Sequence, residues 1–306
     1  MYMKNAIHPK GYLMILLASV LFGTYGIWSK LMGDHFGVFY QGWVRALVVL
    51  IILSPYLIYK KQLRWPEKKD AKYLAIFLGA TLLTQAPLYY AFITTSVGIA
   101  TLLFYAAFII ASFLIGKYLI GEKITSIKLF AMLLAFVGLT FVFGLSLSVF
   151  SFAGMAMAAL NGTASGTEVS SSKKLSHYPA LLVTFYSWAV ILVTHLIVSI
   201  GIGEVQWLPA NTVEWWAMLA YSLVGLISFW LVVEGFKYVD ASIGSLIGLL
   251  EIIWAILFGA IFFGEHVGLT VWIGAILIVL AGFLPDAKNI LEHNRTKQPA
   301  EPPREM

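Results

Sequence analysis

Ten stretches of about twenty consecutive, mostly apolar residues follow one another along the chain, separated by short clusters of charged and turn-forming residues. A run of that length is what a helix needs to cross about 30 Å of hydrocarbon. The stretches lie near 12–32, 38–59, 73–93, 97–119, 124–145, 149–168, 180–200, 214–236, 241–263 and 269–285. Their continuity excludes an outer-membrane barrel, whose strands alternate apolar and polar positions. With 60% of the 306 residues hydrophobic and 11% charged, the chain carries more apolar surface than a soluble core of this size can bury. The expected class is an all-α polytopic membrane protein with ten transmembrane helices and the lipid bilayer as its surroundings.

The chain has no cysteine, which removes disulfides, thiolate metal ligands and thiol nucleophiles. No Walker loop, H-E-x-x-H or aspartate-rich cluster occurs, so neither an ATP-driven pump nor a metal-dependent enzyme acting on lipid is expected. No cofactor or metal is called for. The formal charge of +5 is read as topology rather than as a nucleic-acid footprint. If the N-terminus lies in the cytoplasm, 18 of the 20 Lys and Arg residues fall in cytoplasmic segments, and the positive-inside bias then places both termini there. Trp207, Trp215 and Trp216 cluster at the opposite interface. From Asp286 onward, prolines and mixed charge predict a mobile cytoplasmic tail over 286–306.

The segments Tyr89–Glu122 and Val232–Glu265 superpose without a gap, at one constant offset that carries Tyr89 onto Val232 and Glu122 onto Glu265. Each is a span, a tight polar turn and a second span closed by Gly-Glu, so Gly121-Glu122 falls on Gly264-Glu265 and Gly116 on Gly259. Gly23-Thr24 is aligned with Gly162-Thr163. Each half (1–145 and 146–285) holds five spans, an odd number, so the second copy is inverted relative to the first. Inverted repeats of this kind characterise secondary transporters with a site near the bilayer midplane.

The doubled span–turn–span–Gly-Glu pattern, with Leu250-Glu251 midway along the ninth span, resembles the EamA-like branch of the drug/metabolite transporter superfamily. The resemblance runs over roughly residues 10–285. Ile252 stands where that family usually has proline, and Ile109 at the matching first-half position is not proline either. The resemblance implies a pseudosymmetric carrier of small organic metabolites in a prokaryotic inner membrane, working without ATP, and leaves the solute open.

Several residues are candidates for lining the path. Glu251 lies about ten residues into its span, near mid-depth, where an ionised group is costly unless it faces protein or water. It either binds a cationic group or a coupling proton, or ties helices together while protonated. Gly244, Gly248, Glu251, Ala255 and Gly259 form one stripe. Thr101, Tyr105, Phe108, Ser112 and Gly116 form its counterpart in the fourth span, and the two are expected to be opposing walls. Arg45 either snorkels to the headgroups or presents its fork to a carboxylate. Tyr25, Trp28, Gln85, Tyr89, Tyr186 and Trp230 supply aromatic and amide groups. Asn161, Ser165 and Glu168, with Thr163 beside them, make the sixth span the most polar. Pro87 leaves the carbonyl near Leu83 free and marks a hinge. His195 is either a relay or a neutral packed imidazole, and Glu234 and Lys237 are spaced to pair.

Arg45 and Glu251 together match a zwitterion, so the expected function is transport of amino acids or related solutes, with export the expected direction and Glu251 the candidate for proton coupling. An uncoupled facilitator, or an uptake carrier for amines, sugars or other metabolites, is the alternative. A membrane enzyme acting on lipid ranks last. A monomer is expected, because two repeats complete one carrier.

Overall fold

The structure, a computed structural model, describes residues 9–144 and 151–297, all in helices, turns and short connections. The helices are α1 (Pro9–Gly23), α2 (Tyr25–Met32), α3 (Val38–Tyr59), α4 (Ala71–Thr81), α5 (Ala86–Thr94), α6 (Val97–Ile115), α7 (Ser126–Phe143), α8 (Phe152–Ser171), α9 (Ala180–Gly201), α10 (Val213–Gly235), α11 (Ala241–Gly248), α12 (Leu250–Phe263) and α13 (Leu269–Lys297). Eight helical segments among the described residues are long and apolar enough to cross a membrane: Pro9–Met32, Val38–Tyr59, Lys68–Thr94, Val97–Ile120, Ser126–Phe143, Ala180–Gly201, Val213–Gly235 and Ala241–Phe263. The remaining two expected spans coincide with α8, which is rich in Gly, Ser and Thr, and with the apolar part of α13, Leu269–Pro285.

The polarity is that of a lipid-embedded bundle. Ile51, Ile197 and Ile276 face outward, while Ser112, Ser187, Ser222, Ser228 and Ser245 are buried. Many of these hydroxyls donate to carbonyls three or four residues back in their own helix, as Ser112 does to Phe108 and Ser222 to Met218. In lipid such groups must find partners inside the protein.

Exchange of the two halves leaves the packing pattern unchanged. The helix pairs α6–α8 and α1–α12 are repeat mates, as are α1–α10 and the packing of α8 on α4 and α5; α3–α9 and α7–α13 map onto themselves. The glycines make the correspondence residue-specific. A Cβ on Gly11 would meet Tyr238 and Val239, and one on Gly154 would meet Thr94 and Thr95. A Cβ on Gly23 would collide with Trp254, and one on Gly166 would collide with the Phe108 carbonyl and lie 3.0 Å from Ala111. The offset that carries Glu122 onto Glu265 therefore extends through the first and sixth spans, and the mate of Gly23 is Gly166 rather than Gly162. Small residues here let backbones approach closely, which is how helices associate in a medium as apolar as their side chains.

Three spans are broken, at Thr24, at Leu82–Gln85 and at Leu249. The second break precedes Pro87, which sits at the start of α5 where its missing N–H costs nothing. The third occurs without proline, after Gly248, and leaves Glu251 in the first turn of α12. At the C-terminal end α13 continues past Pro285 to Lys297, through a segment containing the good helix formers Ala287, Leu291 and Glu292. Residues 298–306, the rest of the expected tail, lie outside the described residues, as does Lys4.

One end of the bundle gathers the basic residues into pairs. Lys237 and Lys10 meet Glu234 at 2.9 and 3.7 Å, Lys128 meets Asp240 at 2.7 Å, and Lys173 meets Glu122 at 2.7 Å. The opposite end carries Trp207, Trp215 and Trp216. There Glu204 caps α3 by accepting from the amides of Phe39 and Tyr40.

Candidate functional site

Arg45 is the most demanding residue in the bundle. It is 7% exposed on α3, and its Nε has no hydrogen-bond partner. Among the described residues no carboxylate lies within ion-pair distance of it. Three aromatic rings surround it instead. The guanidinium carbon is 3.4 Å from the Tyr221 ring centroid, 5.5 Å from Tyr25 and 5.8 Å from Trp188. Cation–π contacts of this kind return up to about 2 kcal/mol each when desolvated, against a burial cost of several kcal/mol for an unpaired ion. The arrangement leaves the guanidinium short of an anion.

Tyr25, one of the three rings around Arg45, makes further contacts of its own. Its hydroxyl lies 3.3 Å from Ser228 Oγ, its ring stands edge-on to Tyr221 at 4.6 Å, and it is within electrostatic range of both Arg45 and Glu251. The Tyr105 hydroxyl of α6 lies near Glu251. Glu251 also sits at the N-terminus of α12, where the helix dipole favours a carboxylate. Tyr221, Gly225 and Ser228 form an i, i+4, i+7 face of α10, and a Cβ on Gly225 would lie 3.0 Å from the Arg45 guanidinium and 3.3 Å from the Trp188 ring. Glycine there keeps the space around the cation open.

Arg45 and Trp188 are themselves matching positions of the two repeats, and they lie side by side. A residue that touches its own repeat mate lies beside the pseudo-two-fold axis. Tyr105, whose mate is Gly248, lies near Glu251, about one helical turn from that mate.

The other expected site residues divide. Gln85 lies at the α4–α5 break with its Oε1 beside Gly42, near His195. Asn161 is fully buried and donates to the carbonyl of Leu83 at 3.0 Å, the carbonyl expected to be free, and Ser165 donates to Asn161 Oδ1 at 3.5 Å. These bonds close the break. Trp28 donates to Thr24 within its own span, and Trp230 packs into two apolar clusters. Three residues stand apart from Arg45 and Glu251. Tyr89 is exposed on α5. Thr163 is exposed and satisfied by the carbonyl of Ala159. Tyr186 is held at the basic end by the carbonyl of Arg64 and stacks on Trp65. The two stripes have different neighbours: Ser112 packs on α8 at Gly166, Gly244 lies against Phe236 and Ile15, and Tyr105 lies near Glu251.

Glu168 accepts from Thr81 at 2.7 Å and Ser187 at 2.8 Å, buried between α4, α8 and α9. His195 donates from Nδ1 to the carbonyl of Ile191 at 3.1 Å, as a packed neutral imidazole would. Glu234 and Lys237 pair as their spacing predicts. Trp188, Tyr221 and Ser228 were not among the expected residues. The i, i+4, i+7 face of α10 and the repeat offset from Arg45 were the signals for them.

A family model described as the EamA-like transporter family matches residues 9–144 and again residues 152–284. The chain belongs to the EamA-like transporter family. It is thus a multi-pass membrane protein of a transporter family, built from two repeats. A solved crystal structure, described only as that of a protein, matches with a TM-score of 0.77 at 17% identity, over 95% of this chain and 99% of that one. At that identity the likeness is one of fold. The search of curated proteins finds no match.

Proposed function

We propose that this EamA-like protein is a secondary carrier that exports amino acids or related zwitterions by alternating access, acting as a monomer in the inner membrane, with ten spans and both termini in the cytoplasm. The observation that carries the reading is a buried arginine with no carboxylate partner among the described residues, caged by Tyr25, Trp188 and Tyr221; Glu251, near Tyr105, is the second polar group of the site. Arg45 flanks the pseudo-two-fold axis, and in an inverted repeat that axis lies in the membrane plane at mid-depth. Arg45 takes the solute carboxylate through its two-pronged donor face. Glu251 takes the ammonium group or a proton, and Tyr25 and Tyr105 orient the two. The first span, which crosses the ninth at Gly23, and the sixth, which crosses the fourth at Gly166, are the elements whose tilt opens the path. The basic end faces the cytoplasm, in keeping with the positive-inside bias.

Binding is tested by thermal stabilisation of the purified protein across amino acids, amines and sugars. A true solute at a hundred times its Kd adds about 2.7 kcal/mol to stability. Stabilisation by amino acids but not by the matching amines, which lack the carboxylate, is expected; the reverse order contradicts the assignment of Arg45. Coupling is tested with Glu251→Gln, which is expected to abolish pH-driven flux in a folded protein. Flux at the wild-type rate under every gradient would exclude Glu251 as the coupling group.

A further inference from the structure

The two Gly-Glu ends of the repeats have the same local geometry but different occupants. Gly121 and Gly264 both adopt left-handed conformations, at φ 88° and 63°. The amide of Glu122 donates to the Gly116 carbonyl at 2.8 Å and that of Glu265 to the Gly259 carbonyl at 3.3 Å. Each carboxylate folds back over its glycine, so that a Cβ on Gly116 would lie 2.7 Å from Glu122 Oε2 and one on Gly259 2.5 Å from Glu265 Oε2. Each also pairs with a lysine from the span crossing it, Lys173 and Lys30, which are again repeat mates.

At the basic end this corner is filled. Glu122 accepts from the Ala241 amide at 3.0 and 2.9 Å, and Lys173 donates to the Val239 carbonyl at 2.9 Å. Val239 and Ala241 are 2% and 0% exposed, in one apolar cluster with Ile120 and Val169. Lys128 and Lys173 both engage Asp240. At the opposite end the corner is open. A cavity of about 90 Å³ is lined there by residues including Gly26, Lys30, Ala255, Gly259, Phe263 and Glu265, whose repeat mates Val169, Lys173, Ser112, Gly116, Ile120 and Glu122 surround the filled corner. The segment matching Val239–Ala241 is Ser96–Gly98 at the start of α6. Val97 in that segment is 60% exposed, and the Lys30–Glu265 pair is about half exposed.

We infer that the Lys30–Glu265 crevice is the receiving site for the Ser96–Gly98 end of α6, and that the carrier alternates by filling one Gly-Glu corner as it vacates the other. The structure is the state closed at Glu122 and open at Glu265. The two latches are unequal, because Val97 and Val271 stand where the closed corner has Asp240 and Lys128. The closed corner thus carries additional charge-assisted bonds, each stronger than a neutral one, which favours the state described. This inference rests on the carrier reading, but its test needs no solute, so its failure would leave the assignment of Arg45 and Glu251 standing.

The absence of cysteine from the chain permits single reporters without background. Gly26→Cys and its mate Val169→Cys report the two corners by their rates of labelling with an aqueous maleimide on the full-length protein in nanodiscs, where both faces are accessible. Gly26→Cys is expected to label fast and Val169→Cys slowly. Adding Glu122→Gln is expected to raise the Val169→Cys rate and lower the Gly26→Cys rate, by on the order of tenfold for the loss of two charge-assisted bonds. Glu265→Gln, which weakens the alternative latch, is expected to lower the Val169→Cys rate and not to slow Gly26→Cys. General loosening raises both reporters together and cannot give these opposite signs. A rise at Val169→Cys with no fall at Gly26→Cys, or reporters blind to Glu122→Gln, would overturn the inference. Should Glu122→Gln fail to fold, Lys173→Met carries the same expectation and Glu265→Gln the opposite one.

Discussion

At the scale of single residues, buried polar groups meet specific partners. Asn161 is the clearest structural case: it satisfies the Leu83 carbonyl that the α4–α5 break leaves open. Asn161→Ala leaves a buried acceptor unpaired, and a loss of about 1–3 kcal/mol of stability is expected, read as a lower midpoint of thermal unfolding in detergent. An unchanged midpoint would mean that the break is closed by something else. The sequence marked this pair half correctly. Pro87 pointed to the free carbonyl and the polar face of the sixth span to the donor, but the two are far apart along the chain, and their meeting depends on how α8 packs on α4 and α5. Arg45 was legible as a charge within a span, whereas its cage was not, since Tyr221 and Trp188 come from two other helices.

At the scale of elements, glycine spacing sets which helices touch. Gly166 lets α8 approach the α6 backbone, and a Cβ there would collide with the Phe108 carbonyl. Gly166→Ala is expected to cost about 1–3 kcal/mol, the usual range for forcing extra volume into a packed interface. Gly248→Ala, with open space around it, is expected to be neutral or slightly stabilising through its better helix propensity. Circular dichroism melts of the two variants check the contrast; equal effects would contradict the packing. The spans themselves were readable because about twenty apolar residues in a row have few alternatives in water or lipid. The breaks were less so. That at Leu249 has no proline to announce it. The one-turn slip that matched Gly23 with Gly162 arose because the sixth span offers glycines at both 162 and 166, and only the contacts with α6 and α12 distinguish them.

At the scale of the whole molecule, the two repeats place Arg45 beside its own mate Trp188, at a place both halves share. The carrier reading makes this place the solute site, and the corners closed by Glu122 and Glu265 its alternate doors. The most direct measurement is counterflow in proteoliposomes: vesicles loaded with unlabelled amino acids, labelled amino acid outside, and Arg45→Lys run beside the wild type. Uptake above empty liposomes is expected for the wild type, with a loss of about tenfold or more in Arg45→Lys, which keeps the charge but lacks the planar fork. Uptake by the wild type that Arg45→Lys leaves untouched, or no exchange of any amino acid by folded protein, would contradict the account.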